Sequence, residues 1–105
     1  MTGREKCLKD ALEKTTQIKD KVYGRPETNL DAIAQMWTSY LSLVFGHNIY
    51  IKAADVAHMM ALFKVARVMN GTETEDSYID ACGYLACAYE CTFADNNEPE
   101  FGSIK

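Results

Sequence analysis

Several things are scarce in this chain of 105 residues, and each scarcity removes a class of protein. Only two prolines occur, Pro26 and Pro99, so there is no polyproline segment or proline-rich linker. The glycines stand singly, and no glycine-rich loop exists that would cradle phosphates with its backbone N–H groups. No window approaches the roughly 18 apolar residues of a membrane span. The start, Met1 to Lys6, has no apolar segment behind it, so no secretory signal and no membrane partner are expected, and the cytoplasm is the expected address. Basic residues are in deficit: 11 Lys and Arg stand against 15 Asp and Glu, giving a net charge of −4 and a pI near 5.1. General coating of DNA or RNA is thereby disfavoured, because that affinity comes from an excess of cations over phosphates. A small phosphorylated ligand needs only two or three cations in one place.

Metal chemistry is equally thin. There are two histidines, His47 and His58, and their spacing to the four cysteines matches no zinc pattern. Cys7 stands alone in the sequence, while Cys82, Cys87 and Cys91 share one helical stretch. Reduced, buried thiols are the expectation, without disulfide, metal or other resident cofactor.

What is present is an ordinary globular composition, 48% apolar and 25% charged. One domain over residues 1–105 is expected, all-α, built as a small antiparallel bundle of about four helices with a polar tail from about Asp95. The first helix is expected from about Gly3 to Lys21. It opens with the T-x-x-E capping box of Thr2 and Glu5 and presents Leu8, Ala11, Leu12, Thr15 and Ile18 to the core. Val22 to Glu27 breaks it. A second helix from near Glu27–Asn29 to Phe45 turns Leu30, Ile33, Ala34, Trp37, Leu41 and Val44 inward, and Gly46 stops it. His47 to Ile51 is a link of strand-like composition. The third helix runs from Ala53 to Met69 with Val56, Met59, Met60, Leu62, Phe63 and Ala66 as its apolar set, ended by Asn70-Gly71. The fourth runs from Ser77 to Phe93, opened by a second capping box in Ser77 and Asp80.

Two constellations stand out. On the fourth helix Asp76, Asp80, Gly83, Tyr84, Cys87 and Cys91 fall on one stripe by steps of three and four. The two carboxylates either cap the helix and meet its dipole or open a ligand site. Gly83 costs about 1 kcal/mol inside a helix, which calls for close approach of another element. On the third helix Lys64 and Arg67 interrupt an apolar run. They are either a solvated face or a phosphate site, in which Arg67 offers a planar fork and Lys64 a point charge. Asp55 projects from the opposite side of that helix and cannot join them.

Taken together, Tyr23-Gly24-x-Pro26-x-x-Asn29-Leu30, Ile33-Ala34-x-x-Trp37-x-x-Tyr40-Leu41, Asp55-Val56-Ala57-x-Met59-Met60-x-Leu62-x-Lys64-x-Ala66-Arg67 and Asp76-Ser77-x-x-Asp80-x-x-Gly83-Tyr84 resemble a family of small tailed-phage proteins with no assigned activity. The resemblance covers about Val22 to Tyr89 and implies a cytoplasmic life in an infected bacterial host. One departure is Lys52-Ala53, where the family pattern places a helix-capping Thr-Pro; a looser start of the third helix is expected. The family is also distantly similar to the all-α MazG and dUTPase-type nucleoside triphosphate pyrophosphohydrolases. Those hold Mg²⁺ with E-E-x-x-E and E-x-x-D motifs, and this sequence has neither. Its comparable acids are Asp55, Asp76 and Asp80, with Asp31 a weaker fourth.

Three functions compete. The first is a non-catalytic binder of a phosphorylated nucleotide, cyclic ones included, that sequesters a signal of host defence. Tyr23 would stack on the base, Lys64 and Arg67 would hold phosphate, and Asn29, Asp76, Asp80 and Tyr84 would complete the site. The second is a Mg²⁺-dependent pyrophosphohydrolase with Asp76 and Asp80 on the metal. The third is a protein-only inhibitor or interaction module. A homo-oligomer is expected under each, because the apolar faces exceed what one small core needs.

Overall fold

A computed structural model of the chain describes residues 1–16 and 26–93. Four helices make up almost all of it: α1 (Gly3–Thr16), α2 (Pro26–Phe45), α3 (Ala53–Met69) and α4 (Thr74–Phe93). Among the described residues there is no strand, and no helix is long and apolar enough to cross a membrane. The expected extension of the first helix to Lys21, the break around Gly24, Tyr23 and the polar tail all lie outside the described residues.

Local chemistry sets most helix ends. The box at the start of α1 forms in both directions: the Thr2 N–H donates to Glu5 Oε1 at 2.6 Å, and the Glu5 N–H donates to Thr2 Oγ1 at 3.1 Å. Pro26 takes the first helical position of α2, where its missing N–H costs nothing. The start of α3 is firmer than the Lys52-Ala53 departure suggested. Asp55, in the first turn, accepts from the Lys52 N–H at 3.0 Å and supplies an acid to the helix dipole. At its end, Gly71 adopts φ +75°. This lets Gly71 N–H reach Val68 O and Thr72 N–H reach Arg67 O, each at 3.0 Å, the two bonds of a Schellman turn.

That turn explains one correction. The connector is tighter than expected, so α4 begins at Thr74 rather than Ser77. Ser77 is an interior residue, 1% exposed, whose N–H already makes a helical bond to Glu73 O. The expected Ser77–Asp80 capping box does not form. Glu75 and Asp76 are the acids of the first turn, and Asp80 sits a turn further in.

The link after α2 is held by two hydroxyls one helical turn apart. Ser42 Oγ accepts from the Ile49 N–H and donates to the Ile49 carbonyl, while Thr38 Oγ1 does the same for Ile51. The extended link thus satisfies its backbone on a helix face rather than in a sheet.

The core joins α2, α3, α4 and this link. Leu30 and Ala34 of α2, Val56 and Ala57 of α3 and Ala88 of α4 are buried together, with Ile33, Trp37, Ile51 and Met60 packed around them. Its innermost residues on α3 and α4 are small, and these two helices share the longest seam in the molecule. Consequently the larger apolar residues of α3 point outward. Met59, Leu62, Phe63 and Ala66, expected in the core, are exposed, as is Val44 at the end of α2.

α1 stands apart from that core and docks chiefly on α4. Cys7 and Thr15, two turns apart on α1, touch neighbouring residues of α4: Cys82 through sulfur at 3.8 Å, and Gly83. So α1 lies across α4 rather than along it. A Cβ added at Gly83 would stand 3.1 Å from Thr15 Cγ2, which is the close approach its presence called for. Such proximity favours small residues, so α1 turns Ala11 inward and leaves Leu8 and Leu12 exposed, against expectation.

Candidate functional site

The charged residues singled out from the sequence meet where α1, α3 and α4 converge. Asp80, on the second turn of α4, is the hub. Its Oδ1 accepts from Lys14 Nζ at 2.7 Å and its Oδ2 pairs with Lys64 Nζ at 3.0 Å. Lys14 also donates to Asp76 Oδ1 at 2.8 Å. Asp80 and Lys64 are both about four-fifths buried, so their pair is shielded far better than an ordinary surface bridge, while Lys14 and Asp76 are more open. Burial pushes the Asp80 carboxyl up, but the hydrogen bonds from Lys14 and Lys64 outweigh it and hold the carboxyl below its ordinary 3.8. The bonds to Asp76 and Asp80 in turn raise Lys14 above its ordinary 10.5.

Arg67 lies one turn beyond Lys64. Its guanidinium carbon and the Lys64 ammonium each stand 5.8 Å from the centre of the Phe63 ring, which orders both cations on one apolar wall. The ion-pair partner of Arg67 is Glu73, at a long 3.5 Å. Its Nε is buried and has no hydrogen-bond partner among the described residues. Glu73 itself adopts φ +43°, an unfavourable left-handed conformation for a residue with a Cβ.

Of the expected site residues, Lys64, Asp80 and Asp76 are therefore brought together, with Arg67 on their edge. Tyr84 is half-buried, one turn past Asp80 on α4. Asn29 is exposed in the first turn of α2 and enters none of these contacts. Tyr23 lies outside the described residues. Lys14, Glu73 and Phe63 complete the cluster, and sequence reasoning had placed none of them in a site. Lys14 sits on what reads as a solvated face, and nothing local marks a partner 66 residues away. Phe63 had been assigned to the core.

An open hollow of about 360 Å³ adjoins the network, lined by Asp10, Glu13, Lys14, Asp76 and Ile79. Three acids against one cation make it a poor seat for an anion.

The cluster does not fit Mg²⁺. Both oxygens of Asp80 are occupied by ammonium groups, and among the described residues no three His, Cys, Asp or Glu side chains converge as a metal site. No disulfide joins the four cysteines, all of them among the described residues. Cys7, isolated in sequence, is beside Cys82 in space, and burial with the neighbouring Cys7 sulfur pushes the Cys82 thiol up.

Comparison with known proteins gives a family. The Gene 55 protein of Mycobacterium phage D29 is 34% identical over 83 residues, covering 79% of this chain and 51% of that protein. The chain thus spans about half the length of this relative. No solved structure matches. Residues 6–92, which take in all of α3 and nearly all of α1 and α4, match the family described as a domain of unknown function, DUF6378. On that match the chain belongs to the DUF6378 family, and it has a relative among phage proteins.

Proposed function

We propose that the protein binds a small phosphorylated ligand of nucleotide type and holds it without chemistry, sequestering a nucleotide signal, linear or cyclic, of the phage's host. The observation that carries this reading is Arg67. A half-buried guanidinium that has, among the described residues, an unpartnered Nε and one long ion pair retains donors for an anion. Phosphate matches that planar fork, and Lys64 beside it adds a second cation. Glu73 is then a placeholder: strained in backbone and weakly held, it gives way when phosphate arrives. Asp80 keeps Lys64 in position and Tyr84 borders the base side, with Tyr23 and Asn29 as further candidates there. Sequestration rather than hydrolysis is favoured because Asp80 is committed to two lysines and offers no oxygen to a metal.

A thermal-shift screen against mono-, di- and cyclic nucleotides identifies the ligand, since one that binds only the folded state raises its melting temperature. Titration calorimetry then tests the site. Charge-assisted bonds are worth about 1.5–3 kcal/mol, so Arg67→Ala should weaken binding roughly tenfold to more than a hundredfold. Arg67→Lys should weaken it too, having no fork. Glu73→Gln, which removes the competing carboxylate, should tighten it. Unchanged affinity in all three removes the phosphate site. Recovery of the ligand intact after incubation with Mg²⁺ separates sequestration from pyrophosphohydrolysis.

A further inference from the structure

We infer that α3 pairs, antiparallel and about a two-fold axis, with α3 of a second copy of this chain. The helix is apolar on two sides. Val56, Ala57, Met60 and Ala61 face the core, while Met59, Leu62, Phe63, Ala66 and Met69 lie on the other side within an arc of about 120° at ~100° per residue. Helices that are apolar all round are found buried, yet Leu62 is 67% and Met69 81% exposed.

The stripe has the form of a helix-pairing seam. Met59, Leu62, Ala66 and Met69 are spaced three, four and three residues apart, the a–d–a–d pattern that keeps an apolar line facing one partner helix. Its three-four-three spacing also reads the same from both ends. Set antiparallel on a copy of itself about position 64, Met59 faces Met69 and Leu62 faces Ala66, while Phe63 flanks one side of the seam beside its own copy and Val65 flanks the other beside its own. Every exposed apolar side chain then meets another, with the large Leu62 over the small Ala66. That self-complementarity is what a two-fold interface requires.

Charge and area support the same occupant. No charge lies on the stripe to steer or pair with a charged partner. The acids at its two ends, Asp55 and Glu73, already carry Lys52 and Arg67. At about 200 Å² per fully exposed large side chain, the exposed parts of Met59, Leu62, Phe63, Val65 and Met69 come to roughly 550 Å². A standard interface takes about 800 Å² from each partner. Exposed His58 and Asn70 add to this as a polar rim.

Sedimentation velocity and light scattering on the full chain test the pairing. The wild type should be a dimer that dissociates on dilution. Leu62→Glu places a carboxylate in the seam twice by symmetry and should raise the dissociation constant at least about a hundredfold. Helical circular dichroism reports whether the variant folds. A cross-linking experiment stands independently of that: Leu62→Cys chains mixed with Ala66→Cys chains should form a covalent dimer under mild oxidation. Leu62→Cys mixed with Met69→Cys, and wild type alone, should not. A wild type that stays monomeric overturns the proposal. So does a folded Leu62→Glu that remains dimeric, association lost instead on Leu85→Glu at the outward face of α4, or failure of the 62–66 cross-link.

Discussion

The core shared by α2, α3 and α4 and the seam between α1 and α4 are built on opposite principles. The core is apolar, close-packed through small residues, and closed by a Schellman turn that local sequence dictates. At the other seam there are ion pairs, a thiol pair and one threonine resting on a glycine. Burial of apolar surface is indifferent to pH and little affected by modest salt, whereas the pairing of Lys14 with Asp76 and Asp80 depends on both. One molecule thus combines a stable three-helix body with a first helix whose attachment is conditional.

The largest effect expected is in the body. Leu30, 4% exposed, anchors α2 to the core, and Leu30→Ala should lower unfolding free energy by about 2–5 kcal/mol in a urea titration. A cost near zero would dissolve the contrast, since it would mean that the body is no better packed than the seam.

Asp80→Asn comes next. It weakens two charge-assisted bonds, the one to Lys64 shielded and the one to Lys14 more open, and should cost about 1–3 kcal/mol at neutral pH. The sign of its pH dependence follows from the pairing. Asp80 is held below its ordinary 3.8, so its contribution is complete above about pH 5 and is lost as pH falls through the lowered value. Lys14 is raised above 10.5, so its contribution is complete below that and is lost only in strong alkali. Wild type and Asp80→Asn should therefore differ by a constant amount from about pH 5 to 9 and converge in acid. A gap that persists in acid strong enough to protonate Asp80 would show that the asparagine perturbs packing rather than charge.

The smallest effect sharpens the contrast most. Gly83→Ala gains about 1 kcal/mol of helix propensity but crowds Thr15 Cγ2. Thr15 does not rotate freely, because its hydroxyl bonds the carbonyls of Ala11 and Leu12. The single change should fall within about 1 kcal/mol of neutral. In a Thr15→Ser background, which keeps the hydroxyl and drops the methyl, the same change should be stabilising. Thermal melts of the four proteins in this cycle give the coupling directly.

How far the sequence alone could be read divides along the same line. The bounds of α3, the box at Thr2 and Glu5 and the stop at Gly71 are local features, and all appear as expected. Gly83 announced a close neighbour without saying which. Periodicity failed on α3 because both of its sides are apolar, and nothing in the spacing tells which side meets the body. The start of α4 was misjudged because Ser77 looks like a cap when the tightness of the preceding turn is unknown. In the candidate site, Lys64, Asp76 and Asp80 were singled out and do converge, but their link runs through Lys14, whose only mark in the sequence is a charge among many. Arg67 was chosen as a fork for phosphate. That Glu73 stands in its way is a three-dimensional fact set by a backbone angle.

The way α1 rests on α4 has a consequence for how the chain assembles. Its contacts join residues 62 to 75 positions apart, Lys14 to Asp76 at the near limit and Cys7 to Cys82 at the far one. A lone helix of 14 residues is marginal in water. Among the described residues, α1 therefore waits for its chief partner until α4 has been made. α2, α3 and α4 meet through shorter loops, whose closure costs less entropy. The order of docking reverses the order of synthesis, and a nascent chain halted after Met69 leaves Cys7, Ala11 and Thr15 without the α4 surface that covers them in the finished fold.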